Sequence, residues 1–447
     1  MNTLKRKDTL MTEGVIWKQL TLFAVPLLIG NLFQQFYNLA DSVVVGNFVG
    51  KEALAAVGST GTIINTLIGF FLGLSMGGNV VISQYFGAKD DRGVHDAVHT
   101  TLFITLSLSV FFTIVGYFMV PNMLRLMSTP NDVFEEAKVY LQIYFIGILG
   151  LMVYNMGSGI LRAVGNSRYP LYFLILSAAL NIILDFVFVL LFKLGVAGVA
   201  YATIISQFIS ATLVIYVLSR VDGPYRIIFR DIRLDREMLK KIVRVGFPSA
   251  LQLSLTSFSN VFVQSYINSF GSSCMAGWSV YGKIDQFGLL PMQSISLSIT
   301  TFVGQNLGAG NVKRAKKGIN IALLISIIST IFLLTPIMIF SRELVWLFNR
   351  EESVIQYGSL FLRLISPFYL LVCVNQIYIG SLRGAGDTKA PMVIMLSSFV
   401  LFRQIYLFIV SRTIGTIIMV ALGYPFGWLL CSIAIYLYYR KTHWERI

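Results

Sequence analysis

Long apolar runs separated by short polar breaks fill the 447-residue chain. Each run is long enough to cross a bilayer as a helix, which takes about 20 residues. Read as helices, they fall near 15–40, 54–82, 95–120, 135–160, 170–193, 196–219, 242–269, 276–304, 316–340, 356–381, 391–411 and 415–439. The only long polar segment runs from Ser219 to Val245 and parts the twelve spans into two sixes. The pattern predicts an N-terminal lobe over 1–218, a cytoplasmic basic linker over 219–245 and a C-terminal lobe over 246–447.

The two sixes repeat one another at a spacing of 221–222 residues. Pro26 returns as Pro248, Asn38 as Asn260 and Phe48 as Phe270. Gln84, Gly87 and Ala88 return as Gln305, Gly308 and Ala309, and LRAVGNSRYP (from Leu161) returns as LRGAGDTKAP (from Leu382). Ordered matches along nearly the whole chain point to duplication of one unit. An even number of spans per unit gives both copies the same orientation, so the repeats are parallel and related by an axis along the membrane normal.

Composition agrees with lipid as the solvent. Only 13% of the residues are charged and mean hydropathy is +0.74, against about 25% charged in a soluble domain. The net charge of +14 is sorted by side. With the N-terminus inside, the inner segments hold 25 Lys and Arg and the outer loops seven. Lys5, Arg6 and Lys7 open the inner set, Arg446 is among those closing it, and the linker is its richest part. That bias is the positive-inside signal, and it accounts for the basic linker as a topology determinant near anionic lipid rather than a nucleic-acid site. Cys274, Cys373 and Cys431 have no metal or redox spacing and read as small hydrophobes.

Ionisable groups within spans are costly and mark candidate sites. Here they are Asp41, Asp185, Lys283, Asp285, Arg363 and Arg403. Counted from the outer ends of their runs, Asp41 lies about 13 Å deep and Asp185 about 12 Å deep, at 1.5 Å per helical residue. Thr203 reaches the same level from the sixth span, and Asn181 shares a helix face with Asp185. Oxygen atoms at one level from three helices could hold a small hard cation, or two carboxyls could share one proton. An alternative for Asp41 is a cap at the end of a shorter helix. The repeat provides an internal comparison. The second-copy counterparts of Asp41, Asn181, Asp185 and Thr203 are Val263, Phe402, Tyr406 and Tyr424, so the polar set exists once. Asp285 in the eighth span is a further candidate, as a cavity group or as the partner of Arg403, Arg363 or Lys283. Pro26 and Pro248 should bend their helices, and Gly69, Gly73 and Gly77 form a stripe for close helix packing. His95 and His99 are one turn apart but lack a third metal ligand in the sequence, so no metal is expected. No phosphate-cradling loop is present, so the chain shows no means of using ATP.

These features together resemble the multidrug and toxic compound extrusion (MATE) family of efflux transporters. The resemblance spans roughly residues 12–440 and rests on PLLIGNLFQQFYNLADSVVVG, the SQYFGAK/GQNLGAG pair, the LRAVGNSRYP/LRGAGDTKAP pair and LNIILD. It implies an all-α integral membrane protein with twelve transmembrane helices in two six-helix lobes related by a pseudo-twofold axis along the membrane normal. It also implies export of cationic or lipophilic compounds in exchange for H⁺ or Na⁺. Asp41, Asn181, Asp185 and Thr203 match the family's first-lobe coupling positions, with Tyr37 and Tyr140 as neighbours. Spans seven and ten carry no acid, which departs from the branch that couples through the second lobe.

The resulting expectation is a secondary antiporter working by alternating access, with helix 1 as the moving element. It is expected as a monomer in the cell (inner) membrane with both termini cytoplasmic. Its expected partners are small organic cations or lipophilic drugs and membrane lipid, with no cofactor, no ATP and no nucleic acid. Two rival readings are a lipid-linked precursor flippase of the same superfamily and an integral-membrane enzyme.

Overall fold

A computed structural model describes residues 10–127, 129–442 and 444. Lys5, Arg6, Lys7 and Arg446, used above for orientation, lie outside them. The described chain folds into twelve helical spans: α1 (Ile16–Val49), α2 (Lys51–Gly87), α3 (Asp91–Leu126), α4 (Asn131–Ile146 with Ile148–Ala163), α5 (Arg168–Leu191) and α6 (Gly195–Arg220), then α7 (Arg236–Asn268), α8 (Ser272–Gly308), α9 (Val312–Ile339), α10 (Glu352–Gly384), α11 (Lys389–Thr413) and α12 (Ile417–Lys441). Ten of these are apolar and long enough to cross a membrane. The two pieces of α4 qualify together, bent by 47° at Gly147. The remaining helix, α7, is 33 residues long, and its Gln, Ser, Thr and Asn side chains dilute its apolar character.

Three spans expected to be plain α-helices contain π-helical segments, at Val45–Val49, Val187–Leu191 and Leu396–Phe402. A π-turn inserts an extra residue into the ladder and often marks a functional site. α10 narrows to a 3₁₀ turn at Ser366–Phe368, where Pro367 interrupts the hydrogen-bond ladder. Pro26 and Pro248 both lie inside continuous helix.

Two compact units emerge. One contains Ile29–Gly246, and the other contains Met11–Leu28 together with Phe247 onward. Membership therefore changes two residues after Pro26 and two residues before its repeat mate Pro248. In the second unit, Leu20, Phe23 and Leu27 of α1 are buried with Ile299, Phe302 and Val303 of α8. Polar contacts pin the start of α1 there as well. The Met11 N–H donates to Gln305 Oε1 (2.8 Å), Asn306 Nδ2 donates to the Met11 carbonyl (3.1 Å), and Arg314 Nη2 donates to the Glu13 carbonyl (2.8 Å). In the first unit, the segment between α6 and α7 is held on α3. The Ile228 N–H donates to His99 Nε2 (3.0 Å), the Asp235 N–H donates to Thr100 Oγ1 (3.2 Å), and Tyr225 and Ile227 are buried against the α2–α3 core. The linker is thus packed on its apolar side.

The duplication is legible in individual hydrogen bonds. Ser75 Oγ donates to the Asn155 carbonyl (3.1 Å), and its mate Ser296 donates to the Gln376 carbonyl (2.8 Å). Asn79 Nδ2 donates to the Gly159 carbonyl (3.1 Å), and Thr300 Oγ1 to the Gly380 carbonyl (2.9 Å). These bonds tie α2 to α4 and α8 to α10 in the same places. Both LR-x-x-G motifs end their helices alike. Gly165 (φ 87°) and Gly386 (φ 86°) take the left-handed conformation, and the following amide closes a six-residue ring onto Leu161 or Leu382.

Candidate functional site

Four helices of the first unit converge on a buried polar cluster. α1 brings Tyr37 and Asp41, α4 brings Tyr140 and Tyr144, α5 brings Asn181 and Asp185, and α6 brings Thr203. Asp185 is fully buried and Asn181 is 1% exposed. The α-helical part of α1 continues through Val44 before the π-segment. Asp41 is therefore an interior position of the helix and not its cap.

Asp41 and Asp185 lie within hydrogen-bonding reach of each other. Tyr37 feels both carboxyls and the Tyr140 and Tyr144 hydroxyls, and Tyr140 feels the same two carboxyls. Asn181 Nδ2 reaches Thr203 Oγ1 at 3.5 Å, the long edge of a hydrogen bond, while Thr203 donates to the Val199 carbonyl at 3.0 Å. Asp41 Oδ1, both Asp185 oxygens and Asn181 Oδ1 are buried with no donor from the protein.

Buried acceptors without donors are costly, and two ionised carboxylates facing each other add repulsion. Ionised carboxylates only accept hydrogen bonds. The pair closes when one member carries a proton, or when a cation bridges them. The arrangement is chemically suited to take up a small positive charge.

Every residue expected in this cluster is brought into it, including Tyr37 and Tyr140. Tyr144 was not anticipated. Its signal is its spacing of four from Tyr140, which puts both on one face of the first piece of α4. The π-helical residues Val45–Val49 and Val187–Leu191 directly follow the two acidic turns. The extra residue they introduce is invisible to a period-based reading.

Asp285 stands apart, in the second unit. Tyr281 Oη donates to its Oδ1 at 3.0 Å. None of the three expected cationic partners pairs with it. Arg363 donates to Ser341 Oγ (2.7 Å), Lys283 lies over the Phe348 ring (5.8 Å), and Arg403 donates to Ser259 Oγ and Asn260 Oδ1. Lys283 is excluded by its helix face, two residues from Asp285, and Arg363 by its exposed position.

Near the start of α3, the fold adds to His95 and His99 an acid that the sequence could not place beside them. His95 Nε2 lies 3.3 Å from Asp231 Oδ2 of the linker, and the three residues form a cluster of ligand-type atoms. His99 has no nitrogen to spare. Its Nδ1 faces the His95 carbonyl at 2.7 Å, and its Nε2 accepts from the Ile228 N–H. The arrangement serves to hold the linker on α3.

The MatE family pattern matches residues 26–187 and again 248–409, so each match begins at one of the two prolines. The chain is 32% identical over 435 residues to the probable multidrug resistance protein YpnP of Bacillus subtilis (strain 168), covering 97% of each chain. Among solved structures, it is similar to a multidrug resistance MATE family transporter in an outward-facing conformation, with TM-score 0.91, 26% identity and 98% of each chain covered. It is equally similar to a MOP superfamily transporter from Pyrococcus furiosus, with TM-score 0.92 and the same identity and coverage. The duplicated helices, the twice-matched pattern and the near-complete coverage agree: the chain belongs to the MatE family, the multidrug and toxic compound extrusion transporters its motifs resemble.

Proposed function

We propose that this multidrug efflux antiporter couples export to entry of H⁺ or Na⁺ at Asp41 and Asp185, with Asn181 and Thr203 completing the site and Tyr37 and Tyr140 bordering it. The observation that carries the reading is the buried Asp41–Asp185 pair with acceptor oxygens that no protein donor satisfies. Such a pair has two states of unequal stability, and a proton or cation selects between them. If the charged and neutralised states differ in drug affinity, drug and coupling ion displace each other by linkage alone. The exported compounds are cationic or lipophilic organic molecules, in line with the multidrug relatives. Helix α1 carries Asp41 in one compact unit and its first turns in the other, so a change at the acid pair acts directly on the element that runs between them. The protein sits in the cell membrane with both termini on the cytoplasmic side.

Reconstitution into liposomes tests this. An imposed pH or sodium gradient, without nucleotide, should drive export of a fluorescent organic cation. Asp41→Asn and Asp185→Asn keep side-chain shape while removing charge, and each should lower gradient-driven export by at least about a hundredfold, the scale of about 2.7 kcal/mol. Val263→Ala and Tyr406→Phe, at the mates of the two acids, should leave it within about twofold. Wild-type export by both Asn variants under either gradient would remove Asp41 and Asp185 from the coupling step.

A further inference from the structure

A groove in the first unit lies apart from the acid pair. It runs along α3 from Thr101 to Leu108, about 10 Å at 1.5 Å per residue. The buried Phe71 of α2 and Met152 and Met156 of α4 form its floor, and Val243 of α7, 40% exposed, forms its rim. It measures about 420 Å³ with its open side included, and its lining is almost wholly apolar. Two of the three hydroxyls that line it are satisfied within the protein. Thr105 Oγ1 donates to the Thr101 carbonyl (2.8 Å), and Ser75 Oγ donates to the Asn155 carbonyl (3.1 Å). Thr101 Oγ1 is buried with no partner. The residue before it, Thr100, accepts from the Asp235 N–H of the linker, so the Thr101 end of the groove is its linker end.

That end is flanked by positive charge. Arg236, Lys240 and Arg244 recur at every fourth residue of α7 and are all exposed, so they form one stripe. Val243 at the groove rim lies beside it. The nearby acids face other groups. Asp235 and Glu237 act on Lys241, which donates to Tyr85 Oη. Asp96 pairs with Arg92 and Arg233, and Asp231 lies beside His95. Along the direction of the helices, the surface thus presents a basic stripe, an unsatisfied hydroxyl and an apolar trough, in that order.

We infer that this groove binds an anionic phospholipid from the leaflet on the linker side, with its phosphate on Arg236 and Lys240 and one acyl chain lying from Thr101 toward Leu108. A phospholipid has the same order of parts: a negative phosphate, polar ester groups, then hydrocarbon. Basic pockets between helices at a cytoplasmic membrane face suit anionic headgroups. Methionines suit a floor that meets chains of differing shape, because the thioether side chain is flexible. The inference draws on the membrane-spanning fold and is independent of the ion-coupling proposal.

Thiol reactivity at the rim tests it. Cys274, Cys373 and Cys431 are buried, so Val243→Cys in the purified full-length protein reports on the groove alone. In detergent, phosphatidylglycerol should slow its reaction with a maleimide by at least about fivefold relative to an equal amount of phosphatidylcholine, the scale of one basic residue near an anionic lipid. Leu176→Cys on α5, 43% exposed, should differ by less than about twofold between the two lipids. Adding Arg236→Gln and Lys240→Gln to Val243→Cys should raise the half-protecting concentration of phosphatidylglycerol by at least about tenfold, since two charges are lost. Equal protection by the two lipids, protection that survives loss of both charges, or the same protection at Leu176→Cys overturns the proposal. Glycerol phosphate carries the charge without a chain and should not protect; protection by it would mean a bare anion site and overturn the acyl-chain groove. Should Val243→Cys fail to fold, native mass spectrometry decides. Wild type should retain phosphatidylglycerol in preference to phosphatidylcholine, and Arg236→Gln with Lys240→Gln should lose that preference. Equal retention by wild type, or an unchanged preference in the variant, counts against the site.

Discussion

Single residues decide how closely these helices approach. An added Cβ at Gly77 would lie 2.4 Å from the Ile242 carbonyl oxygen and 2.8 Å from the Gly246 backbone. Its repeat mate in the second unit is Ser298, whose hydroxyl donates at 3.1 Å to the carbonyl of Leu20, the mate of Ile242. One copy thus uses absence of a side chain and the other a hydrogen bond at the same crossing. Gly77→Val drives a side chain into neighbouring backbone, and overpacking of this kind costs about 1–3 kcal/mol. It should lower the melting temperature of the detergent-solubilised protein. Gly282→Ala, with nothing within 4 Å of the new methyl, should leave it level or raise it; an equal drop for both would show that contact at Gly77 is not the cause. At this scale the sequence told much. Asp41, Asn181, Asp185 and Thr203 stood out because polar groups are rare inside apolar runs, and depth alone put them at one level. Tyr144 was hidden, since a tyrosine in an apolar helix is ordinary until its neighbours are known. Ser259 and Asn260, which accept hydrogen bonds from Arg403, were equally hidden, because they lie more than a hundred residues away along the chain.

Helices show where a period-based reading reaches its limit. Twelve spans were placed from the sequence, eleven of them, counting the bent α4 as one, apolar and long enough to cross a membrane. Their internal irregularities were not, because a π-turn shifts hydrogen-bond register without altering composition. The 47° break in α4 at Gly147 is of the same kind. There a Cβ would meet Ile204 Cγ2 at 2.1 Å, so close approach to α6 fixes a glycine in the joint. The endings of α4 and α10 share a glycine that the repeat keeps in place, and in both it takes a left-handed turn. Gly165→Ala and Gly386→Ala each place a Cβ at φ near 87°, a conformation that costs a non-glycine residue about 1–2 kcal/mol. Each should depress thermal stability by a similar amount, since the two turns share one geometry. Gly427→Ala, in right-handed helix with its nearest neighbour 3.1 Å away, carries a packing load and no backbone strain. A much larger loss at one of the two turns than at the other would mean that local packing, rather than backbone conformation, sets the cost.

For the whole chain, duplication supplied the scaffold, and divergence between the copies supplied the candidate site. The acids of one copy are matched in sequence by apolar and aromatic residues in the other, and the buried arginine of the second copy has no basic counterpart, its mate being Ile182. Which stretch of chain packs with which unit could not be read from the sequence. Residues 11–28 pack with the second unit and residues 29–246 with the first, because apolar faces pack by three-dimensional fit and not by order along the chain. Orientation rests on charge alone and can be tested directly. Cys274, Cys373 and Cys431 are all buried, so single introduced cysteines report without background from accessible native thiols. Arg230 is exposed on the linker, among the basic residues that should remain in the cytoplasm. Phe192, 64% exposed, closes α5 at the opposite end from Arg168. In intact cells a membrane-impermeant maleimide should label Phe192→Cys and spare Arg230→Cys, which should react only after the membrane is opened. Labelling of Arg230→Cys from outside, with Phe192→Cys protected, would invert the topology and with it the direction in which the acid pair meets its coupling ion.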